Sequence, residues 1–189
     1  MAFSIPVVIN SGLIPNSLRF EAGELGIPVI TYESGEALRL DENCIVTGVR
    51  GVIGVMRRLG MLAKGRLKTI RSAPFISENT SWFRAPSDGL FRPLVKLGAR
   101  VSKGDTLGVI SPPFNAGEEI LTAPYSGIVI CLSKLPLVNE GEALFHLAQF
   151  DQASSVEDEI ATHVSNVEDD RLYEVEAVPV IPVDQEDDA

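Results

Sequence analysis

The sequence predicts an α/β chain in three parts: an α/β layer over residues 1–70, an all-β domain over 83–150 after a linker at 71–82, and an acidic, largely flexible tail over 151–189. Three observations carry this. Ala85-Pro86-Ser87-Asp88-Gly89-Leu90 returns as Ala123-Pro124-Tyr125-Ser126-Gly127-Ile128, and Val101-Ser102-Lys103-Gly104-Asp105-Thr106-Leu107 returns as Val138-Asn139-Glu140-Gly141-Glu142-Ala143-Leu144. The offset is 38 residues at the start and 37 at the end, a regular internal duplication. Upstream, Ile5-Pro6-Val7-Val8-Ile9-Asn10 and Ile27-Pro28-Val29-Ile30-Thr31-Tyr32-Glu33 are β-branched runs opened by proline, where a strand tolerates one. Finally, residues 151–189 hold 13 of the 26 acids and one base, Arg171, which leaves 15 bases against 13 acids in the body. The formal charge of -10 therefore belongs to the tail.

The two β-branched runs read as parallel buried strands. Between them Leu18, Ala22 and Leu25 share a helical face and Gly26 supplies the stop, which makes a right-handed β-α-β unit. Asp41 and Glu42 then open a long helix with an apolar stripe through Ile45, Val46, Val49, Val52, Ile53, Met56 and Leu59, ended by Gly60. Gly48, Gly51 and Gly54 lie inside it at about 1 kcal/mol each relative to alanine, a cost that close packing against the sheet accounts for. Their spacing is wrong for a phosphate loop. Asn10, Ser11 and Glu33 fall beyond the carboxyl ends of the two strands, where open α/β sheets bind ligands. Glu33 reads either as a candidate for chemistry or as a cap of the next helix or a partner of Arg39.

In the duplicated region, short strands punctuated by Pro-x-x-Gly and Gly-acid turns indicate a compact sandwich or barrel. Two such halves resemble the barrel-sandwich hybrid of biotinyl and lipoyl carrier domains. Those carriers bear the modified lysine on the hairpin between the halves. Here that hairpin is Phe114-Asn115-Ala116-Gly117-Glu118-Glu119, and no lysine occurs between Lys103 and Lys134, so a carrier role lacks its acceptor amine.

Composition excludes other classes. Cys44 and Cys131 read as buried free thiols in a helix and a strand, without disulfide or zinc-knuckle spacing. No basic region precedes an apolar run near Met1, and no apolar window spans a membrane, so a soluble, cytoplasmic protein is expected. Arg57, Arg58, Lys64, Arg66, Lys68 and Arg71 form the basic cluster, without the aromatic interleaving or basic domain that nucleic-acid binding calls for. In the tail, residues 151–170 read as solvated and disordered, while 172–183 suit a single strand docking on an exposed edge.

Taken together, Gly26-Ile27-Pro28-Val29-Ile30-Thr31-Tyr32-Glu33-Ser34-Gly35, Val49-Arg50-Gly51-Val52 with Leu59-Gly60-Met61-Leu62, and Trp82-Phe83-Arg84-Ala85-Pro86 resemble the C-terminal half of the succinylglutamate desuccinylase/aspartoacylase family. These are zinc-dependent deacylases related to the zinc carboxypeptidases. The resemblance covers residues 5 to about 149. It implies a partial carboxypeptidase-like α/β/α layer, a small-molecule N-acylated amino acid as substrate, and Glu33 as general base toward a zinc-activated water; Asn10 and Ser11 remain weak substrate-binding candidates. It implies zinc for the complete enzyme, held by a His-x-x-Glu pair and a later histidine. This chain contains no His-x-x-Glu, and of its two histidines His146 reads as an ordinary strand residue and His163 belongs to the acidic tail. No metal ligand is therefore assigned, and no zinc is expected for this chain alone. The reading is a deacylase portion completed by a separate N-terminal half or a homo-oligomer; the alternative is a non-catalytic interaction module, or a degenerate fragment, using the β-domain and acidic tail to bind a partner.

Overall fold

The computed structural model describes residues 2–63, 73–114, 117–150 and 153–170. Lys64, Arg66, Lys68 and Arg71 of the basic cluster, Asn115 and Ala116 of the hairpin, and the strand expected at 172–183 lie outside them. The chain begins with strand β1 (Val7–Ile9), helix α1 (Leu18–Glu24), helix α2 (Glu42–Arg58) and strand β2 (Phe75–Ser77). Ser17 caps α1, accepting from the Phe20 N–H, and Asp41 caps α2, accepting from the Cys44 N–H at 3.1 Å. Such a cap is worth about 1 kcal/mol. Arg57 and Arg58 complement the dipole at the far end of α2, and Gly60 leaves it at φ 77°, which glycine adopts without strain.

Two expectations fail in this layer. Residues 27–33 form no strand, and Ile27, Val29, Ile30 and Tyr32 are all exposed. β1 pairs instead in parallel with β2, Val7 opposite Phe75 and Ile9 opposite Ser77, in a stretch expected to be linker. An extended run needs a neighbouring strand to satisfy its backbone. Among the described residues β1 and β2 pair only with each other, and no strand pairs with 27–33. Gly48 and Gly51 are tightly packed, though against rings and not against the sheet as expected: a Cβ on Gly51 would collide with the Phe3 ring, and one on Gly48 would sit 3.0 Å from Tyr32.

Next come β3 (Thr80–Arg84), β4 (Gly89–Pro93), β5 (Arg100–Val101), β6 (Thr106–Ser111), β7 (Glu119–Thr122), β8 (Gly127–Leu132), β9 (Leu137–Val138) and β10 (Ala143–Ala148). They form two four-stranded antiparallel sheets, β3-β10-β8-β5 and β7-β6-β4-β9, neither closed on itself. The first repeat copy is β4-β5-β6 and the second β8-β9-β10, and they exchange their middle strands: β5 pairs with β8, and β9 pairs with β4. The repeated residues make the exchange. Ala85 donates to the Glu142 carbonyl at 2.8 Å and accepts from Gly141 N–H at 2.8 Å; Ala123 does the same with Asp105 at 2.8 Å and Gly104 at 2.9 Å. Asp88 accepts from the Glu140 N–H at 2.6 Å, and its counterpart Ser126 accepts from the Lys103 N–H at 2.9 Å. Each copy is thus clasped by the other.

The core lies between these sheets, with Phe145 at its centre, edge-on to Phe91 at 5.4 Å and to Phe83 at 6.3 Å. Matched positions are matched in burial: Ala85 and Ala123, Val101 and Val138, and Leu107 and Leu144 are all buried. Cys131 departs from its expected burial. It stands at an outward position of β8 and is exposed, while Cys44 is half-buried; both are free thiols.

Residues 153–170, expected to be disordered, form helix α3 (Ala153–Asp170). Val156, Ile160, His163 and Val167 recur at helical spacing; Val156 and Val167 are buried, and Ile160 packs on Gly98. That stripe outweighs the polar composition around it. α3 contacts α2, β5 and β8, and Glu157 accepts from the Arg100 N–H at 3.3 Å. Among the described residues, no helix is long and apolar enough to cross a membrane.

Candidate active site

The candidate site lies where the 27–40 segment meets the β-domain. Tyr32, next to Glu33, is held from both sides: its hydroxyl donates to the Cys44 carbonyl at 3.0 Å, and its ring stacks obliquely on Phe3 at 5.2 Å. Glu33 itself is exposed. Farther on, Glu36 pairs with Arg39 within its own segment and with Lys134 of the β8–β9 connection at 2.9 Å. These contacts, Lys134 first, hold the Glu36 carboxyl below the usual carboxylate range. Arg39 is therefore the partner of Glu36 rather than of Glu33, and Asp41 rather than Glu33 caps α2. A shallow cleft of about 350 Å³ opens beside these residues, floored by the Cys44, Gly48 and Val49 face of α2.

Across the seam, the charge of Glu33 reaches the imidazole of His146. The β3–β10 register places His146 opposite Trp82, and their rings stack at 4.3 Å with planes 12° apart. On its other side His146 lies opposite Cys131 of β8. Burial pushes the imidazole below its ordinary value, and the negative charge of Glu33 partly offsets that. The result is a carboxylate, an imidazole favouring its neutral form, and an indole face, contributed by one loop and two strands. A carboxylate so placed can take a proton from water, and a neutral imidazole can donate or accept a hydrogen bond.

Asn10 and Ser11 do not join this group. Asn10 donates to the Glu78 carboxylate at 2.8 Å and the Ser11 hydroxyl accepts from Arg19 at 2.9 Å, both at the exposed end of β1. Ser77 anchors that end to the β-domain, its buried hydroxyl lying 2.8 Å from the Gln149 carbonyl and 3.1 Å from that of Asn79. His163 is half-buried on α3 beside Glu159 and Arg50, and burial lowers its basicity too. The residues missed from sequence are Trp82 and His146 as a stacked pair whose imidazole feels the charge of Glu33. No local spacing announces them, because the pairing is a register between distant strands.

Zinc as a resident group meets a plain obstacle in this donor set. A catalytic zinc takes three protein ligands and an open position. Among the described residues no three His, Cys, Asp or Glu side chains gather, and Glu33 with His146 makes two. These residues do not by themselves fit the metal.

The arrangement defines a class: a short parallel α/β layer seated on a duplicated two-sheet antiparallel domain. No protein-family model matches the sequence, nor does any curated protein. Solved structures do match. The fold is shared with the product-bound ectoine utilization protein EutE (DoeB) from Ruegeria pomeroyi, at 24% identity and TM-score 0.67, over 78% of this chain and 46% of that one. It is shared with a succinylglutamate desuccinylase/aspartoacylase from Rhodobacter sphaeroides, at 22% identity and TM-score 0.67, over 79% and 47%. An aspartoacylase family protein from Mesorhizobium loti matches at 23% identity and TM-score 0.58, over 79% and 45%. The chain has the fold of part of these structures and spans about half their length.

Proposed function

We propose that this chain is a member of the succinylglutamate desuccinylase/aspartoacylase family and forms the general-base-bearing portion of a deacylase that hydrolyses the amide bond of an N-acylated amino acid. On this reading the duplicated domain is a barrel-sandwich hybrid that walls the site, and residues 1–63 belong to a carboxypeptidase-like layer. What supports the proposal is the exposed Glu33 carboxylate, whose charge reaches the imidazole of the His146–Trp82 stack, within a fold shared with solved structures of that family. Glu33 accepts a proton from the attacking water as its oxygen bonds to the acyl carbon. The C–N bond then breaks, and the proton passes to the departing amine, leaving a carboxylic acid and a free amino acid. Neutral His146 keeps a hydrogen-bonding group beside that carboxylate without neutralising it. The zinc that the family resemblance implies would draw its ligands from outside these residues.

The test is hydrolysis of N-acetyl and N-succinyl amino acids by this chain together with a separately purified N-terminal half of a family deacylase that carries the His-x-x-Glu pair and the later histidine. Turnover requiring both components is expected, and Glu33→Gln should lower kcat by about 10²–10⁴-fold with KM little changed. Turnover indifferent to Glu33→Gln, or none from the assembled pair, overturns the reading.

A further inference from the structure

Gly48 and Gly51 sit inside α2 at a cost in helix propensity, and what each admits is an aromatic ring. The three atoms nearest a Cβ on Gly48 all belong to Tyr32, at 3.0, 3.4 and 3.9 Å, and those nearest a Cβ on Gly51 all belong to Phe3. The two rings meet in turn, with centroids 5.2 Å apart and planes at 43°. The Tyr32 hydroxyl donates to the Cys44 carbonyl at 3.0 Å, and Cys44 stands about one turn before Gly48. Tyr32 therefore lies along a turn of α2 with its hydroxyl fixed at one end and its ring at the other. The stretch around it has little else to hold it: Ile27, Val29, Ile30 and Glu33 are exposed, and among the described residues no strand pairs with them.

We propose that Tyr32 is a positioning residue: seated in the notch of Gly48 and braced by Phe3 over Gly51, it fixes the backbone that carries Glu33, and thereby the place of that carboxylate. The role of Glu33 as general base rests on the deacylase reading; its placement by Tyr32 does not. Adjacent residues share a planar peptide unit, so a side chain pinned at position 32 leaves the Glu33 Cα about 3.8 Å from a fixed point. A general base needs that, because a displacement of about 1 Å costs about 10²-fold in rate. The glycines answer to the rings. A helix-forming side chain at position 48 favours α2 and evicts the tyrosine, which accounts for a glycine where propensity alone selects against one.

The His146 imidazole reports the place of Glu33 in the full chain alone, because the carboxylate raises its basicity against the effect of burial. The chain has two histidines, and His163→Gln assigns their resonances. Tyr32→Ala should lower the His146 pKa in the direction of Glu33→Gln, and should move it no further when Glu33→Gln is already present, since both act on one charge. Gly48→Leu fills the seat of the ring while keeping a good helix former in α2, so it should reproduce Tyr32→Ala. Tyr32→Phe keeps the ring and should fall between Tyr32→Ala and the parent chain. Denaturant unfolding followed at Trp82, the single tryptophan, should be unaltered in all three, which separates displacement from loss of fold. In the assembled pair Tyr32→Ala should lower kcat by about 10²-fold with KM little changed. A His146 pKa unmoved by Tyr32→Ala and Gly48→Leu overturns the inference. So does a shift of the same size with and without Glu33→Gln, because the tyrosine then acts on the β-domain and not through Glu33. A pKa unmoved by Glu33→Gln itself also overturns it, leaving no held charge to lose. Titrations that run as expected beside an assembled pair that hydrolyses nothing sustain the positioning role and sink the deacylase reading.

Discussion

Glu33 and His146 are coupled through charge, and the coupling has a sign. The carboxylate favours the imidazolium, so Glu33→Gln should lower the His146 pKa further, read from the imidazole resonances across a pH titration of this chain alone. An unmoved titration would mean that the charge of Glu33 does not reach His146. The two histidines also set an acid limit on stability. Both are held below the ordinary value of 6.5, so the unfolded chain binds protons more readily than the fold does. Their contribution is fully present above about 6.5 and declines as pH falls below it toward the folded-state values. Urea midpoints at pH 7.5 and pH 5.5 should show the loss, with a smaller loss once His163 is replaced by Gln. At the centre of the core, Phe145→Ala should cost about 3–5 kcal/mol, measured by denaturant unfolding, because the site is enclosed by Phe83 and Phe91 and cannot collapse freely.

Among the elements, the exchanged repeats account for much of what the sequence makes legible. The Ala-Pro-x-x-Gly and Gly-acid motifs are the contact points between copies, which is why they recur together. Gly104 and Gly141 sit at φ 90° and φ 84° with open space around the missing Cβ. Alanine at either should therefore cost about 1–2 kcal/mol through backbone strain alone, with similar values for the two copies, by chemical denaturation. α3 is the element composition concealed. Serines and acids suggested disorder, yet its apolar stripe is complete, and Val156 is fully buried. Val156→Asp should release α3, giving rapid amide exchange over 153–167 while β8 and β10 stay protected.

The whole molecule joins a two-sheet β-domain with a well-buried core to an α/β layer whose apolar surface is largely uncovered. Ser77, the Lys134–Glu36 pair and α3 link the two, and the exposed ion pair adds little to stability. We expect the purified chain by itself to retain no stoichiometric zinc after dialysis and to show no deacylase turnover, by metal analysis and amine-release assay. Stoichiometric zinc lost on His146→Ala would contradict this.

What could be read from sequence was whatever is encoded locally or by repetition. The duplication, helix α2 opened by its acids, and strand β1 depend on spacing within a few residues or on one motif recurring, and all are found. Tertiary structure alone decided the partner of β1, the unpaired state of 27–33, the outward turn of Cys131 and the stacking of His146 on Trp82 within reach of the Glu33 charge. A β-branched run declares that it can be extended, but pairing is a property of two strands, and so is a site assembled across a seam. No pattern within one segment holds the position of the other.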